Sequence, residues 1–329
     1  MGEPLAVADG VYWLRMPLPF SLNHINLWLL EDQHGWTIVD TGINTKACKQ
    51  LWQQVFDQHL KGKPVTQLIV THLHPDHVGL AGWLCERWNL TLQMSRTDYM
   101  TCRVLMSDTG KQAPQAAIDF YCRAGVNEQQ LETYKSKFGG YGKGIYAMPD
   151  HYLRLQDKDT VTMADADWQI IVGRGHAPEH LCLYCPSLNV FIAGDQLLPT
   201  ISSNISVWPT EPHSDPLKEW LESCAMLQQK LPADVLVLPS HGQVFFGAHQ
   251  RLQRLIDGHK KSLVKLVDAC AQPQRNVDLF SQLFRREIND DVLTLAVGET
   301  QAHINYLVKQ NKIQSNTADS QGAVWYQTI

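Results

Sequence analysis

The stretch THLHPDHVG, residues 71–79, decides the fold because it places His72, His74, Asp76 and His77 within six positions. The segment before it, VTQLIV, is a short continuous run of apolar and β-branched residues, which predicts a buried strand. The segment after it, VGLAGWLCERW, has helical spacing. The four polar side chains therefore lie on a strand-to-helix loop, where burying them together would be costly without a compensating cation.

The spacing within this loop indicates two cation positions. Side chains two residues apart at the end of an extended strand project to the same side, so His72 and His74 can bind one ion. Asp76 and His77 lie where the chain turns into the helix, and they can face a second ion.

Three further segments supply groups of the same chemistry. GRGHAPEH carries His176 after the apolar run WQIIVG, FIAGDQ carries Asp195 directly after NVFIAG, and LPSHG carries His241 after VLVL. Each candidate follows a predicted strand, so one edge of the sheets could carry them all.

Taken in order, the motifs HxHxDH, GHxxxH, GD and SHG resemble those of the metallo-β-lactamase superfamily, particularly its glyoxalase II-like hydrolase branch. The resemblance covers the chain to about residue 245. It implies two sets of metal ligands and a bridging carboxylate: His72, His74 and His176 for the first ion, Asp76, His77 and His241 for the second, and Asp195 between them. Ligands of this kind, without cysteine, suit zinc and would also accept iron or manganese.

The resemblance also implies roles for two carboxylates and one imidazole. Asp76 is expected to hold the nucleophilic water and later help to protonate the leaving group. Asp40, in VDTG, either orients a ligand histidine or is a turn aspartate beside Gly42, and the first role is favoured. His180 is the second histidine of GHxxxH; it either supports the site or is a buried histidine with satisfied hydrogen bonds. Two divalent ions can lower the pKa of a shared water and polarise a carbonyl or phosphoryl oxygen, which predicts hydrolysis.

The predicted elements suit an α/β fold in which two sheets pack between layers of helices, the αββα sandwich. Thr45 is expected to cap a helix that runs to about His59. Residues 1–250 are predicted to form the catalytic domain, with a helical insertion over 96–150 as a lid. Residues 251–329 begin with a long amphipathic helix, end in a hairpin candidate, and resemble a small winged-helix domain.

Substrate contacts are predicted from the insertion and from loops near the ligands. Tyr121 and Tyr141 of the insertion either line the lid or pack only against its own helices. The long segment after Asp195 offers three more candidates, and a strand histidine near the first hairpin is a weaker one: Asn204, Ser206, Trp208 and His24.

An apolar lid favours a small-molecule thioester, ester or lactone as substrate. A phosphodiesterase or nuclease is the alternative, favoured by the appended domain and opposed by the charge. The chain has 28 basic and 33 acidic residues, a net charge of −5, and its tail from Arg251 has 10 basic against 8 acidic residues. Nucleic acid and membrane partners therefore lack support, and the tail is predicted to pack or to form a homodimer. A sulfur-oxidising enzyme with a single iron is a third enzymatic alternative. Outside catalysis, the chain could be a regulatory effector that keeps the metals and binds a partner.

The chain is predicted to be cytoplasmic. Its first residues lack the pattern of a signal peptide, and no stretch approaches the apolar length of a membrane span. The eight cysteines are scattered, which indicates reduced thiols. Cys182 and Cys185 form a CxxC, but they lie on a predicted strand and point to opposite faces, so redox or zinc chemistry is not expected there.

Overall fold

Two β-sheets packed face to face form the centre of the molecule, which a computed structural model describes over residues 1–20 and 22–329. The first sheet contains, in spatial and chain order, β1 Leu5–Ala8, β2 Val11–Pro17, β3 His24–Glu31, β4 Trp36–Val39, β5 Val65–Ile69, β6 Leu92–Met94 and β7 Tyr152–Arg154. The second contains β8 Thr160–Met163, β9 Ala166–Gly173, β10 His180–Cys185, β11 Val190–Gly194 and β12 Leu236–Pro239. Its strands are ordered β12, β11, β10, β9, β8.

The helices between residues 46 and 230 connect and cover these strands. They are α1 Lys46–Gln58, α2 Pro75–Val78, α3 Ala81–Trp88, α4 Arg96–Ser107, α5 Gln115–Ala124, α6 Glu128–Lys137 and α7 Pro216–Lys230. Strands β4 to β7 are parallel, as are β11 and β12, and parallel neighbours require crossover connections. Helix α1 supplies the first crossover, and Thr45 caps it by accepting a hydrogen bond from the backbone N–H of Cys48.

Apolar side chains fill three layers around the sheets. The layer between the sheets is built from buried residues that include Trp28, Val39, Ile69, Trp168 and Ile192. A second layer lies between the first sheet and its helices, and a third between the second sheet, α7 and the C-terminal helices. The predicted αββα sandwich is confirmed.

The insertion over residues 96–150 is helical, as predicted, and it makes contacts on two sides. Helix α4 packs on the first sheet's outer layer through Tyr99 and Cys102. Helix α5 packs Tyr121 against Leu293 and Val297 of the C-terminal part. A 3-10 turn, Gly140–Gly144, closes the insertion.

The C-terminal part contains α8 Ala248–Ala269, α9 Phe280–Leu283, α10 Leu293–Lys309 and a hairpin of β13 Ile313–Ser315 and β14 Tyr326–Thr328. The long amphipathic helix and the hairpin are confirmed. Helix α10 has 17 residues and is longer than the short helices predicted there, because it is buried among α5, α7 and α8. The domain boundary predicted near residue 250 falls within the first turn of α8, which packs on α7.

Candidate metal centre

The seven predicted ligands meet at one end of both sheets. His72, His176 and His241 each follow within three residues of the end of a strand, and Asp195 follows β11 directly. Pro75 opens the single turn of α2, which carries Asp76 and His77, and His74 is the residue directly before it. The positions of the candidate ligands are therefore set by short loops that follow the ends of buried strands.

The first group of candidate ligands consists of His72, His74, His176 and Asp195, whose ligand atoms all lie within 4.8 Å of one another. His72 Nε2 is 2.9 Å from His74 Nδ1 and 3.3 Å from His176 Nε2. His176 Nε2 is 3.3 Å from Asp195 Oδ2. Ligands bound at 2.0 to 2.1 Å in a tetrahedron are about 3.3 Å apart, so this group has the dimensions of a metal site.

The second group consists of Asp76, His77 and His241. Asp76 Oδ2 lies 3.5 Å from His241 Nε2 and 3.7 Å from His77 Nε2. Asp195 of the first group also approaches these ligands. Its other oxygen, Oδ1, lies 3.4 Å from His241 Nε2 and 3.6 Å from His77 Nε2. Asp195 therefore turns one oxygen toward each group.

Two buried atoms in this arrangement have no hydrogen-bond partner among the described residues. They are Nε2 of His77 and Oδ1 of Asp195, which face each other. Buried polar atoms are nearly always paired, because an unpaired one loses its hydration without compensation. A cation between them would satisfy both, so the residues present fit a metal ion.

His77 is oriented by a carboxylate of the first sheet. Its Nδ1 donates to Asp40 Oδ2 at 2.8 Å, and the other oxygen of Asp40 accepts from the backbone N–H of Thr71 at 2.8 Å. Asp40 itself has a φ of 63°, which places it in a tight turn after β4. The proton is thereby fixed on Nδ1 of His77, and the lone pair of Nε2 points toward the second group.

His176 and His241 are oriented by backbone carbonyls. His176 Nδ1 donates to the carbonyl of Asn204 at 2.8 Å, and His241 Nδ1 donates to the carbonyl of His24 at 2.9 Å. The imidazole Nε2 of His24 accepts from the backbone N–H of Gly242 at 3.2 Å. His24 and Asn204, which were expected to contact substrate, thus contact the candidate ligands from behind.

His180 lies directly behind the centre. It is fully buried, its ring stacks on His72 at 4.7 Å between centroids, and its Nε2 accepts from the backbone N–H of Asp195 at 3.0 Å. Burial lowers the pKa of His180 to about 3, so the ring stays neutral and keeps the lone pair for this bond. Gly194 is required beside it, since its φ is 52° and a Cβ would overlap the His180 ring.

Three of the candidate ligands, His72, His74 and Asp195, are held in the forms that bind metals. Burial, together with the neighbouring imidazoles, lowers the pKa of His72 and His74 well below the ordinary value. Burial opposes ionisation of Asp195, but the rings of His241 and His77 outweigh it and hold the pKa well below the usual range. Neutral imidazole and ionised carboxylate are the forms that coordinate cations. Burial alone would lower the pKa of His77, but the neighbouring carboxylates, chiefly Asp40, hold it well above its ordinary value, so a bound ion has to displace a proton from this ring.

The other substrate-contact candidates are placed differently from one another. Trp208 is 40% exposed, whereas Tyr121 is 2% exposed and packs against α10, so its ring is not available to a substrate in this structure. Tyr141 donates its hydroxyl to the carbonyl of Leu73, inside the ligand loop. Ser206 is buried and donates to Asn204 Oδ1 at 2.6 Å.

Asp98 supports the site and was not found from the sequence. It is fully buried, and it accepts from the backbone N–H groups of Leu73 at 3.0 Å and Glu179 at 2.8 Å. Burial raises its pKa to about 6, against the effect of these hydrogen bonds. Asp98 joins the ligand loop to the loop that carries His176. In the sequence it resembles an ordinary acidic residue in the first turn of a helix that follows Ser95.

Comparisons with known proteins agree with this geometry. Residues 21–241 match the family described as the metallo-beta-lactamase superfamily. The crystal structure of a beta-lactamase domain protein from Burkholderia ambifaria is 39% identical, with a TM-score of 0.92 over 100% of this chain and 95% of that chain. The probable metallo-hydrolase YqjP of Bacillus subtilis is 23% identical over 93% of this chain and 95% of its own length. Human acyl-coenzyme A thioesterase MBLAC2 is 20% identical over 77% of this chain and 85% of its own.

The chain belongs to the metallo-beta-lactamase superfamily, and it is a metallo-hydrolase of that superfamily whose His/Asp clusters are able to hold metal ions. Its C-terminal residues 263–329 match a second family, described as metallo-beta-lactamase-like, C-terminal domain. Of the described helices, none combines the length and the apolar character needed to cross a membrane.

Proposed function

We propose that this protein is a binuclear metal-dependent hydrolase of small-molecule thioesters, esters or lactones. The observation that carries the proposal is the position of Asp195, whose two oxygens face two separate groups of ligand atoms. Zinc is the proposed ion because the donors are imidazole nitrogens and carboxylate oxygens, with iron and manganese as alternatives. Bound ions would lower the pKa of a water and polarise the carbonyl of the substrate.

Asp76 is the proposed catalytic residue. Its side chain is 19% exposed, against 10% for Asp195 and 4% for His241, so it is the ligand carboxylate that is more accessible to water. One of its oxygens is directed at the second group. The exposed part of the carboxylate can therefore accept a hydrogen bond from the attacking water, receive its proton and pass that proton to the leaving group.

The acyl substrate class is supported by exposed apolar side chains on the segment that follows Asp195 and on the helix it contacts. Ile201 and Trp208, on the segment that begins after Asp195, are 44% and 40% exposed, and Leu295 of α10, which contacts this segment, is 39% exposed. Exposed apolar side chains on this segment and on the helix that contacts it suit the hydrocarbon part of an acyl group. The human relative named as an acyl-coenzyme A thioesterase points to the same chemistry.

A nuclease or phosphodiesterase is the less favoured function. We propose that the chain belongs to the glyoxalase II-like branch and that its C-terminal helices and hairpin form a winged-helix-like domain. Such an appended domain is the feature that favours a nuclease. However, α10 is buried among other helices, and the tail has nearly equal numbers of basic and acidic residues. Counterion release from a phosphate backbone needs clustered cations.

We propose no nucleic acid or membrane partner, and the homodimer remains a prediction. The free thiols of all eight cysteines support a cytoplasmic location.

The test is a substrate panel with the zinc-loaded full chain. Acyl thioesters, esters and lactones are compared with phosphodiesters and single-stranded oligonucleotides at low salt, where backbone binding is strongest. Turnover of an acyl substrate that is lost after chelation would support the proposal, and Asp76→Asn should remove most of it. Metal-dependent cleavage of the phosphodiesters alone would establish the alternative. A metal-loaded chain inert to the whole panel would favour the regulatory effector.

A further inference from the structure

The segment between Asp195 and α7, residues 196–215, is held by the C-terminal domain along its length. We call it the connecting segment. Arg251 of α8 donates to two of its backbone carbonyls, both at 2.6 Å. Asn305 of α10 donates to two more at 3.0 and 2.9 Å, near the start of α7. Its conformation therefore depends on residues far beyond it in the chain.

The middle of the connecting segment is the part that docks on α10 through both side chains and backbone. Glu299 Oε2 accepts from the amide Nδ2 of Asn204 at 2.8 Å. Ser206 completes the arrangement by donating to Asn204 Oδ1 at 2.6 Å. The backbone N–H of Val207 donates to the carbonyl of Gly298 at 3.0 Å. Both polar ends of the Asn204 amide are therefore fixed.

Gly298 permits this close approach. A Cβ at this position would lie 2.7 Å from Ser206 Oγ and 2.9 Å from the carbonyl oxygen of Val207. Heavy atoms that are not hydrogen-bonded normally stay well beyond such distances. Even one methyl group on α10 would therefore push the connecting segment away.

The fixed residue of the connecting segment is also the one that orients a candidate ligand. The carbonyl of Asn204 accepts from Nδ1 of His176 at 2.8 Å. Glu299 is partly buried where it contacts Asn204, and the burial of its carboxyl raises its pKa to about 7. Burying a carboxyl group is unfavourable unless it gains a specific partner, and the Asn204 amide is that partner.

We propose that the C-terminal domain positions a metal ligand of the catalytic domain, with Glu299 and Gly298 holding Asn204 so that its carbonyl fixes the imidazole of His176. The inference rests on the proposed function, since it needs His176 to bind an ion. Glu299 is a positioning residue: it acts through Asn204 and does not touch the reacting atoms. The C-terminal domain is accordingly part of the metal site.

The test measures zinc binding to the metal-free full chain by competition with a chromophoric chelator. Glu299→Ala should raise one of the two stepwise dissociation constants for zinc about tenfold. Loss of a residue that orients a metal ligand typically weakens metal binding by about 10- to 100-fold, and the smaller value is expected because Glu299 acts through Asn204. Glu299→Gln keeps an oxygen acceptor for Asn204 and should restore most of the affinity. Asn305→Ala is the matched control: it removes docking hydrogen bonds from the same helix but has no connection to His176, so both constants should stay near wild type.

A second pair of variants tests the same idea by steric contact. Gly298→Ala should weaken the same ion, because the methyl group displaces the connecting segment. Gly258→Ala, in α8, meets open space and should leave zinc binding unchanged. Unchanged constants in Glu299→Ala would overturn the inference, as would equal weakening by Asn305→Ala. A wild-type chain that binds no zinc would overturn the proposed function and this inference together. If wild type and Glu299→Ala each bound two ions with the same affinities, the inference alone would be overturned.

Discussion

Two histidines of the metal centre, one from each group of ligands, are supported over very different distances in the chain. On one side, Asp40 holds His77 from a position 37 residues earlier, at the end of a neighbouring strand of the same sheet. On the other side, the carbonyl of Asn204 holds His176, and Asn204 is held by Glu299, 95 residues later. The support of His77 is completed between neighbouring strands of one sheet, whereas the support of His176 requires the C-terminal domain to be folded and docked.

The largest effect is expected where the two sides meet. Asp195→Ala removes an oxygen ligand from each group, so both zinc dissociation constants should rise, and hydrolysis should fall by more than the roughly 100-fold typical of an outer partner. Zinc titration and initial rates measure the two effects. Weakening of one ion only would show that Asp195 is not shared and that the two sides are independent.

A one-sided effect is expected from Asp40. Asp40→Ala leaves Nδ1 of His77 without its acceptor, and the affinity of the second group for its ion should fall by roughly 10- to 100-fold. The other constant should be unchanged. Asp40→Asn keeps an oxygen for Nδ1 and should lose less. If both constants rose equally in Asp40→Ala, the distinction between the two sides would be wrong.

Asp98 joins the loop of His72 and His74 to the loop that carries His176, so its loss should appear mainly in stability. Asp98→Ala leaves two buried backbone N–H groups without an acceptor and should lower the free energy of unfolding by about 3 kcal/mol, the scale of a hydrogen bond to a charged group. Urea unfolding of the metal-free protein measures it. Asp108, an acidic residue at the end of the same helix with an exposed ion pair, is the control, and Asp108→Ala should cost less than about 1 kcal/mol. Equal losses in both variants would refute the joining role.

The smallest effect concerns the support of α10 by a buried histidine pair. His259 Nδ1 and His303 Nε2 are 3.2 Å apart, and burial lowers their pKa values to about 3 and about 4. Both rings are neutral when folded, whereas the unfolded chain binds protons near pH 6.5, so stability is complete above pH 6.5 and is lost as the pH falls toward 4.

The variant His259→Asn keeps an N–H donor for His303 but removes one titrating group. Between pH 7 and pH 5 its free energy of unfolding should fall by about 2 kcal/mol less than that of the wild type. Chemical unfolding at the two pH values gives this difference. An equal fall in the two proteins would show that the pair does not titrate on unfolding.

The difference between the two sides also explains what could be predicted from the sequence. The seven candidate ligands follow strand ends in short motifs, so local patterns were sufficient to find them, together with the layers of the fold and the Thr45 cap. Strands β6 and β7 were not predicted, because three residues are too few to show a period.

The remaining supporting residues depend on contacts that no local pattern carries. Asn204 and Ser206 were predicted as substrate contacts because they lie on a polar segment beside Asp195, but their side chains bond each other and α10. Glu299 looks like any polar residue of an amphipathic helix. Its connection to the site exists only once the domains are docked, which is why the support of His176 was found from the structure alone.

The central claim is that two groups of ligands share Asp195, and metal content tests it most directly. The full chain is stripped with a chelator, reloaded separately with zinc, iron and manganese, freed of excess ion and analysed for metal per chain. We expect close to two ions per chain for at least one of these metals, in keeping with the two groups. One ion or fewer per chain with every metal would contradict it.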